Sequence, residues 1–207
     1  SGEPWRIPVG LGEQDLSPVF LETYHGEHIL IAGTARSGKS TLLLAIRNMV
    51  EQAHTGEAGQ TPEVWAICSR RSPLASEDFD HLAVGDDEVP ALVAQLRLAS
   101  GSVVLLIDDA DSFADNDKSI AGLVDSPVPG LCIVAAGRSD ELRTLYSHWT
   151  KTLRKAKCGV LLQPNVDLDG DLLGARIPRK APVELSVGRG YAVSNGNVHL
   201  VQAVSAS

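Results

Sequence analysis

From Gly33 to Thr41 the chain reads Gly33-Thr34-Ala35-Arg36-Ser37-Gly38-Lys39-Ser40-Thr41, which fits G-x-x-x-x-G-K-[ST]. An apolar run, Ile29-Leu30-Ile31-Ala32, precedes it, and Leu42-Leu43-Leu44-Ala45-Ile46-Arg47 follows. Strand, glycine loop and helix in that order make a phosphate-binding loop. Gly33 and Gly38 let the backbone curl so that its N–H groups converge on phosphate oxygens. The helix that starts here adds the positive end of its dipole. Lys39 brings a compact positive charge for the β- and γ-phosphates of ATP, and Ser40 brings a hydroxyl for Mg²⁺. The whole loop, Gly33 to Thr41, is the expected cofactor cradle.

Binding alone does not cleave a phosphate bond; a metal anchor and an ordered water are also needed. The run Val103-Val104-Leu105-Leu106-Ile107-Asp108-Asp109 has the form of a buried strand ending in carboxylates. Asp108, at the carboxyl end of that strand, is expected to join Ser40 in the Mg²⁺ shell. Asp109 is the expected base or water-orienting group. It is one methylene shorter than a glutamate would be there, so its reach to a water is shorter. Asp111, Asp115 and Asp117 read as a solvated loop face.

These groups need a scaffold. Ile29–Ala32, Val64–Cys68, Val103–Ile107, Leu131–Ala136 and Gly159–Leu162 are apolar at almost every position. Strands of that kind are buried on both faces, as in a parallel sheet covered by helices. Helical stretches at about 39–53, 86–98 and 139–155 alternate with them, which gives an α/β class. Residues 7–21 read as two short strands around a turn, and His81–Val84 as an edge strand. The C-terminal part reads as short antiparallel strands at 183–185, 190–193 and 198–201. Asn195-Gly196 marks a hairpin between the last two.

The chain has 207 residues, 43% hydrophobic and 21% charged, enough for a soluble core of one large domain. The net charge of -8 and the pI of about 5.2 argue against a surface built to neutralise nucleic-acid phosphates. No apolar run approaches a membrane helix, and no signal peptide is visible. Ser1-Gly2 reads as an expression scar, which leaves 3–204 as a single domain. Cys68, Cys132 and Cys158 read as buried free thiols of a reducing compartment. The six histidines lack ligand spacing.

The lead-in Ile7-Pro8-Val9-Gly10-Leu11-Gly12-Glu13-Gln14-Asp15-Leu16-Ser17-Pro18-Val19 and the run His28-Ile29-Leu30-Ile31-Ala32-Gly33 resemble the FtsK/SpoIIIE (HerA-like) motor ATPases. Phe79–Val84 before Asp86-Asp87 resembles that family's edge strand and acidic helix start. Gly188-Arg189-Gly190 resembles its terminal turn, which in relatives lies close to the nucleotide. The nearest look is to the tandem ATPase modules of type VII (ESX) secretion, the EccC/EssC proteins. The resemblance implies a RecA-like P-loop NTPase fold: a mostly parallel sheet flanked by helices, with a short C-terminal β-hairpin. It implies ATP and Mg²⁺ as cofactors, and neighbouring ATPase modules or subunits and exported protein substrates as partners. It places the module in the cytosol, as part of an inner-membrane-anchored protein. Asp109 stands where additional-strand ATPases usually carry a glutamate. The run Cys68-Ser69-Arg70-Arg71-Ser72-Pro73 departs from the family's D-F-G-G pattern.

Motors of this kind use an arginine from a neighbour. Arg138, Arg143, Arg154, Arg176, Arg179 and Arg189 are the candidates. Arg138 follows a strand at its ligand-binding edge and is the expected catalytic sensor within the chain. Arg143 and Arg154 read as part of a solvated basic helix face with Lys151, Lys155 and Lys157. Three readings stay open: an export motor, a nucleotide-binding docking platform with little turnover, and a DNA translocase module. The acidic balance and the Asp108-Asp109 pair lean toward protein transport over DNA translocation without excluding DNA. Duplex DNA is expected to bind weakly, with a shallow salt dependence. A titration at two salt concentrations checks this, since about six to ten phosphate contacts would cost 10³–10⁵ in affinity between 50 and 200 mM salt.

Overall fold

The structure, a computed structural model, describes residues 4–13, 15–53, 61–126, 128–180 and 184–203. The strands are β1 (Trp5–Gly12), β2 (Pro18–Thr23), β3 (Ile29–Gly33), β4 (Glu63–Cys68), β5 (His81–Val84), β6 (Val103–Ile107), β7 (Leu131–Arg138), β8 (Gly159–Leu162), β9 (Arg189–Ser194) and β10 (Asn197–Ala203). The helices are α1 (Lys39–Ala53), α2 (Val89–Leu96), α3 (Ser119–Asp125), α4 (Ser139–Thr144) and α5 (Thr150–Leu153). Among the described residues, all ten strands form one sheet in the order β2-β1-β10-β9-β8-β3-β7-β6-β4-β5. From β8 to β5 the strands run parallel; from β8 back to β2 every pairing is antiparallel.

The apolar runs are buried on both faces, as their composition requires. Along β6, Val104 and Leu106 face one layer and Val103, Leu105 and Ile107 face the other. The first layer is filled by α1, through Leu42, Leu43, Ile46 and Val50, together with Leu74 of the β4–β5 connection. The second is filled by α2, α3 and α5, through Val89, Leu92, Val93, Leu96, Ile120, Leu123 and Leu153. Farther along that face, Leu142 of α4 meets Leu30, Ala32, Leu161, Leu172 and Leu173. This is the mostly parallel, helix-flanked P-loop NTPase fold that the sequence indicates. Its hairpin turn is at Asn195 and Gly196, both at positive φ (51° and 78°), the conformation an Asn-Gly turn provides.

Four local expectations change. The single helix expected over 139–155 is two short helices. Leu145 leaves the helical region, and His148 Nε2 and Trp149 Nε1 both donate to the Phe113 carbonyl, at 2.7 and 3.0 Å. That anchor holds the break open. The acidic stretch 111–117 is not merely solvated: Asp115 accepts from the N–H groups of Ile120 and Ala121 at 2.8 and 2.7 Å, starting α3, a helix the sequence reading missed. No strand forms at Glu184 and Leu185, because their carbonyls accept from Arg189 and Gln163 side chains at 3.4 and 3.0 Å; Val183 lies outside the described residues. The basic face does not hold together either. Arg143 pairs with the buried Asp169, and Arg154 donates to the Leu142 carbonyl. Residues 54–60 of the expected loop at 54–62, Gln14 of the lead-in, and Ser1-Gly2 also lie outside the described residues.

Cys68, Cys132 and Cys158 are free and buried, and burial pushes their thiols up to about 11, 12 and 11. Such thiols are poor nucleophiles. His28 enters β3 with its ring buried. Nδ1 accepts from the Ile133 N–H at 3.3 Å, and Nε2 has no partner. Burial first, and His25 second, pull its pKa from 6.5 down to about 4. The fold therefore holds the neutral ring, while the unfolded chain takes up a proton below pH 6.5. This contribution to stability is present above that pH and is lost as the pH falls through about 4. Wild type is expected to lose about 2 kcal/mol more than His28→Gln between pH 7 and pH 5, as an order of magnitude. Urea titrations at the two pH values measure it; parallel losses in both proteins would contradict the assignment.

Candidate functional site

The site lies at the carboxyl ends of β3, β7 and β6. β7 sits between the other two, and Gly33 is paired with Arg138. The loop leaving β3 curls tightly. A Cβ on Gly33 would lie 2.4 Å from Ser37 Oγ and 2.9 Å from the Leu162 carbonyl, so only glycine fits. Gly38 has φ +99°, which again favours glycine. Arg36, at φ 61°, carries the turn. Thr34, Ala35, Arg36 and Thr41 are exposed, Ser37 is buried, and α1 begins at Lys39. Gly188 N–H donates to the Ser37 carbonyl at 3.0 Å, so the Gly188-Arg189-Gly190 turn braces the loop from outside.

Lys39 is only 8% exposed. Its ammonium donates to the loop's own carbonyls, Thr34 at 2.6 Å and Gly33 at 3.3 Å. Burial pulls its pKa below the usual lysine value, while Asp108, Asp111 and Asp109 push it back up. Ser40 donates to Asp108 Oδ2 at 2.7 Å, so the two residues expected to hold a metal are already in contact. Ser72, in the β4–β5 connection, donates to the same oxygen at 2.6 Å. Asp108 is 1% exposed, and its Oδ1 is buried without a partner. Burial raises its pKa, and the two serine hydroxyls counter that.

A carboxylate oxygen left bare beside a hydroxyl and a buried ammonium suits a divalent cation and a phosphate. The loop's restriction to glycine at Gly33 suits close approach of an anion to the backbone. The residues thus fit ATP and Mg²⁺ chemically.

Asp109 follows with a left-handed backbone, φ 54° and ψ 40°. Its carboxylate accepts a short hydrogen bond from Ser69, and its carbonyl accepts from Ser112 N and Oγ at 2.8 and 2.7 Å. Arg138 has its backbone at the expected edge, with its N–H on Asp111 Oδ1 at 2.8 Å. Its guanidinium, half exposed, pairs with Asp140 at 2.5 Å and Glu141 at 3.9 Å. Of the other arginines, Arg189 pairs with Glu13 at 3.6 Å and donates to Gln202 at 3.0 Å. Arg143 and Arg154 are committed internally, as described above. Arg176 is exposed, and Arg179 is exposed with a 3.5 Å pairing to Asp167. Ser69 and Ser72 are the site residues that sequence reasoning missed. A lone serine in a loop carries no pattern, and only the strand order shows which carboxylate it meets.

Fold and loop together define a P-loop NTPase domain with RecA-like strand order. Comparison with known proteins narrows this. No family model matches the chain. EccC, an ESX secretion protein of Thermomonospora curvata, is 29% identical over 91% of this chain and 16% of its own length. EccCb1 of the Mycobacterium tuberculosis ESX-1 system is 38% identical over 51% of this chain and 22% of its own. Among solved structures, ATPases 2 and 3 of T. curvata EccC, in complex with a signal sequence peptide, superpose with a TM-score of 0.69 and 24% identity, covering 98% of this chain and 41% of that one. The sequence relatives are ESX secretion proteins of the EccC type, as the lead-in and loop residues indicate, and the fold is that of their ATPase modules. The chain spans less than a quarter of the length of these two relatives. Among the described residues no helix is long and apolar enough to cross a membrane.

Because the fold raises the pKa of Asp108, its neutral form is the one the fold favours. The stability this form contributes is present below the ordinary carboxylate pKa and is lost as the pH rises through the folded value. The ionised carboxylate is thus the form that the fold disfavours. Asp108→Asn is expected to raise the Tm, by about 2–4 °C for each kcal/mol released in a chain of this size. Calorimetry without nucleotide checks this, and a lower Tm would show that the charge stabilises the fold.

Proposed function

We propose that this chain is an ATP-binding motor module that powers or regulates protein export in a type VII secretion-like system. It would do so by binding ATP-Mg²⁺ and hydrolysing it slowly. Residues 3–204 would form one such module, working in the cytosol as part of a membrane-anchored protein. The observation that carries the reading is the contact of Ser40 with Asp108, whose other oxygen is bare, beside the buried Lys39. In this reading the Gly33–Thr41 backbone cradles the phosphates. Lys39 leaves the Thr34 and Gly33 carbonyls for the β- and γ-phosphates. Ser40 and Asp108 hold the metal, which when bound neutralises charge on the phosphates. Asp109 orients the attacking water and takes its proton. Arg138, once free of Asp140, senses the γ-phosphate. Neighbouring modules are the expected partners, and exported proteins the expected cargo. The solved relative bound to a signal sequence peptide supports the cargo assignment.

ATP-Mg²⁺ at ~100 times its Kd is expected to stabilise the domain by about 2.7 kcal/mol, and Lys39→Ala to abolish the gain. Equal melting shifts in the two proteins would remove the loop from phosphate binding. Turnover by the dilute chain is expected to sit near background, because a neighbour's arginine is worth roughly 10³–10⁵ in rate. It rises on assembly, is kept by Asp109→Glu and is nearly lost in Asp109→Asn. Background rates in every assembly would favour a binding platform instead.

A further inference from the structure

The connection leaving β4 supplies more than a link to β5. β4 pairs with β6 up to Ile67 and Ile107, so Ser69 and Asp109 stand at matching places just beyond the last pair. The turn Ser69-Arg70-Arg71-Ser72 is closed by the Ser72 N–H on the Ser69 carbonyl at 3.1 Å. Its two ends give their hydroxyls to the two successive carboxylates, Ser72 to Asp108 and Ser69 to Asp109. The Ser72 hydroxyl is further fixed by accepting from the Leu74 N–H at 3.1 Å.

We propose that Ser69 is a positioning residue for phosphoryl transfer, holding the Asp109 carboxylate at the place where the attacking water must be met. This rests on the ATPase reading given above. Asp109 is short, and its backbone is held in a left-handed turn by Ser112. With the main chain fixed, two side-chain torsions remain to aim the carboxylate. The Ser69 hydroxyl removes that freedom by binding one oxygen and leaves the other for water. Ser69 is only partly buried, so loss of its hydroxyl spares the core. An aspartate that cannot extend to glutamate's reach depends more on its aim, since displacement of about 1 Å can cost 10²-fold in rate.

The test is single-turnover hydrolysis, with the protein in excess over radiolabelled ATP-Mg²⁺, on the chain alone and joined to a neighbouring module. ATP affinity is titrated in parallel. Ser69→Ala is expected to slow cleavage about ten- to a hundredfold while affinity stays within about twofold, and Ser69→Thr to restore the rate. A Ser69→Ala protein that cleaves at the wild-type rate overturns the proposal. So does a parallel loss of rate and affinity without rescue by Ser69→Thr, which would mark a structural role. A wild type that binds ATP through Lys39 yet never cleaves it overturns the proposal together with the hydrolysis reading. The first two outcomes leave that reading standing.

Discussion

Asp108 is a carboxylate almost stripped of water at the end of a buried strand, and the rest of the site is arranged around that burden. An ionised group in such a place needs hydrogen bonds or a cation. Two hydroxyls reach it from different elements, Ser40 from the first turn of α1 and Ser72 from the connection after β4. Neither is close in sequence. β3 and β6 are separated by β7, so two strand spacings, about 9.5 Å, lie between the P-loop strand and the carboxylate. The glycine loop turns the chain into α1, whose first turn brings Ser40 to 2.7 Å from Asp108. Strand order, loop curl and helix start are thus parts of one solution.

The antiparallel wing takes part in the same arrangement. Gly188 donates to Ser37 within the loop and accepts from Ala203 N–H at 2.7 Å, so the loop is tied through one residue to β10. β10 pairs with β1, and Glu13 after β1 pairs with Arg189 beside Gly188. Gly188 and Gly38 face each other closely: a Cβ on Gly38 would lie 3.4 Å from Gly188 N. The lead-in before β3 and the hairpin at the C-terminal end, distant in sequence, therefore meet at the outer wall of the phosphate loop. This gives a physical reason why the Ile7–Val19 segment and the Gly188-Arg189-Gly190 turn accompany the loop in one chain.

Reading from sequence succeeded where the determinant was local. Gly33, Gly38, Lys39 and Ser40 are defined by spacing within one turn, and α1 begins at Lys39 as expected. The five apolar runs read as doubly buried strands because every position along them is apolar. Legibility ended where side chains act across the fold. Arg143 looks like a solvated helix residue until Asp169, buried and accepting from Asn165 N–H at 2.8 Å, is placed beside it. Asp115 looks like loop surface until its carboxylate is seen to open α3. Ser69 and Ser72 carry no periodicity or motif, and what they touch follows only from β4 lying next to β6.

The two cations of the site are satisfied by the protein itself, Lys39 by the carbonyls of its own loop and Arg138 by Asp140 and Glu141. The two parkings differ in strength. Lys39 is buried, so its carbonyl bonds replace water that cannot reach it. A phosphate entering there would exchange neutral acceptors for charged ones, which favours release. Arg138 is half exposed and holds carboxylates, so a phosphate would have to compete with partners of the same sign as itself. Those carboxylates, Asp140 and Glu141, lie in the first turn of α4, directly after Arg138. In a motor of the proposed kind, Lys39 would exchange its loop carbonyls for phosphate, and Arg138 would exchange Asp140 for it.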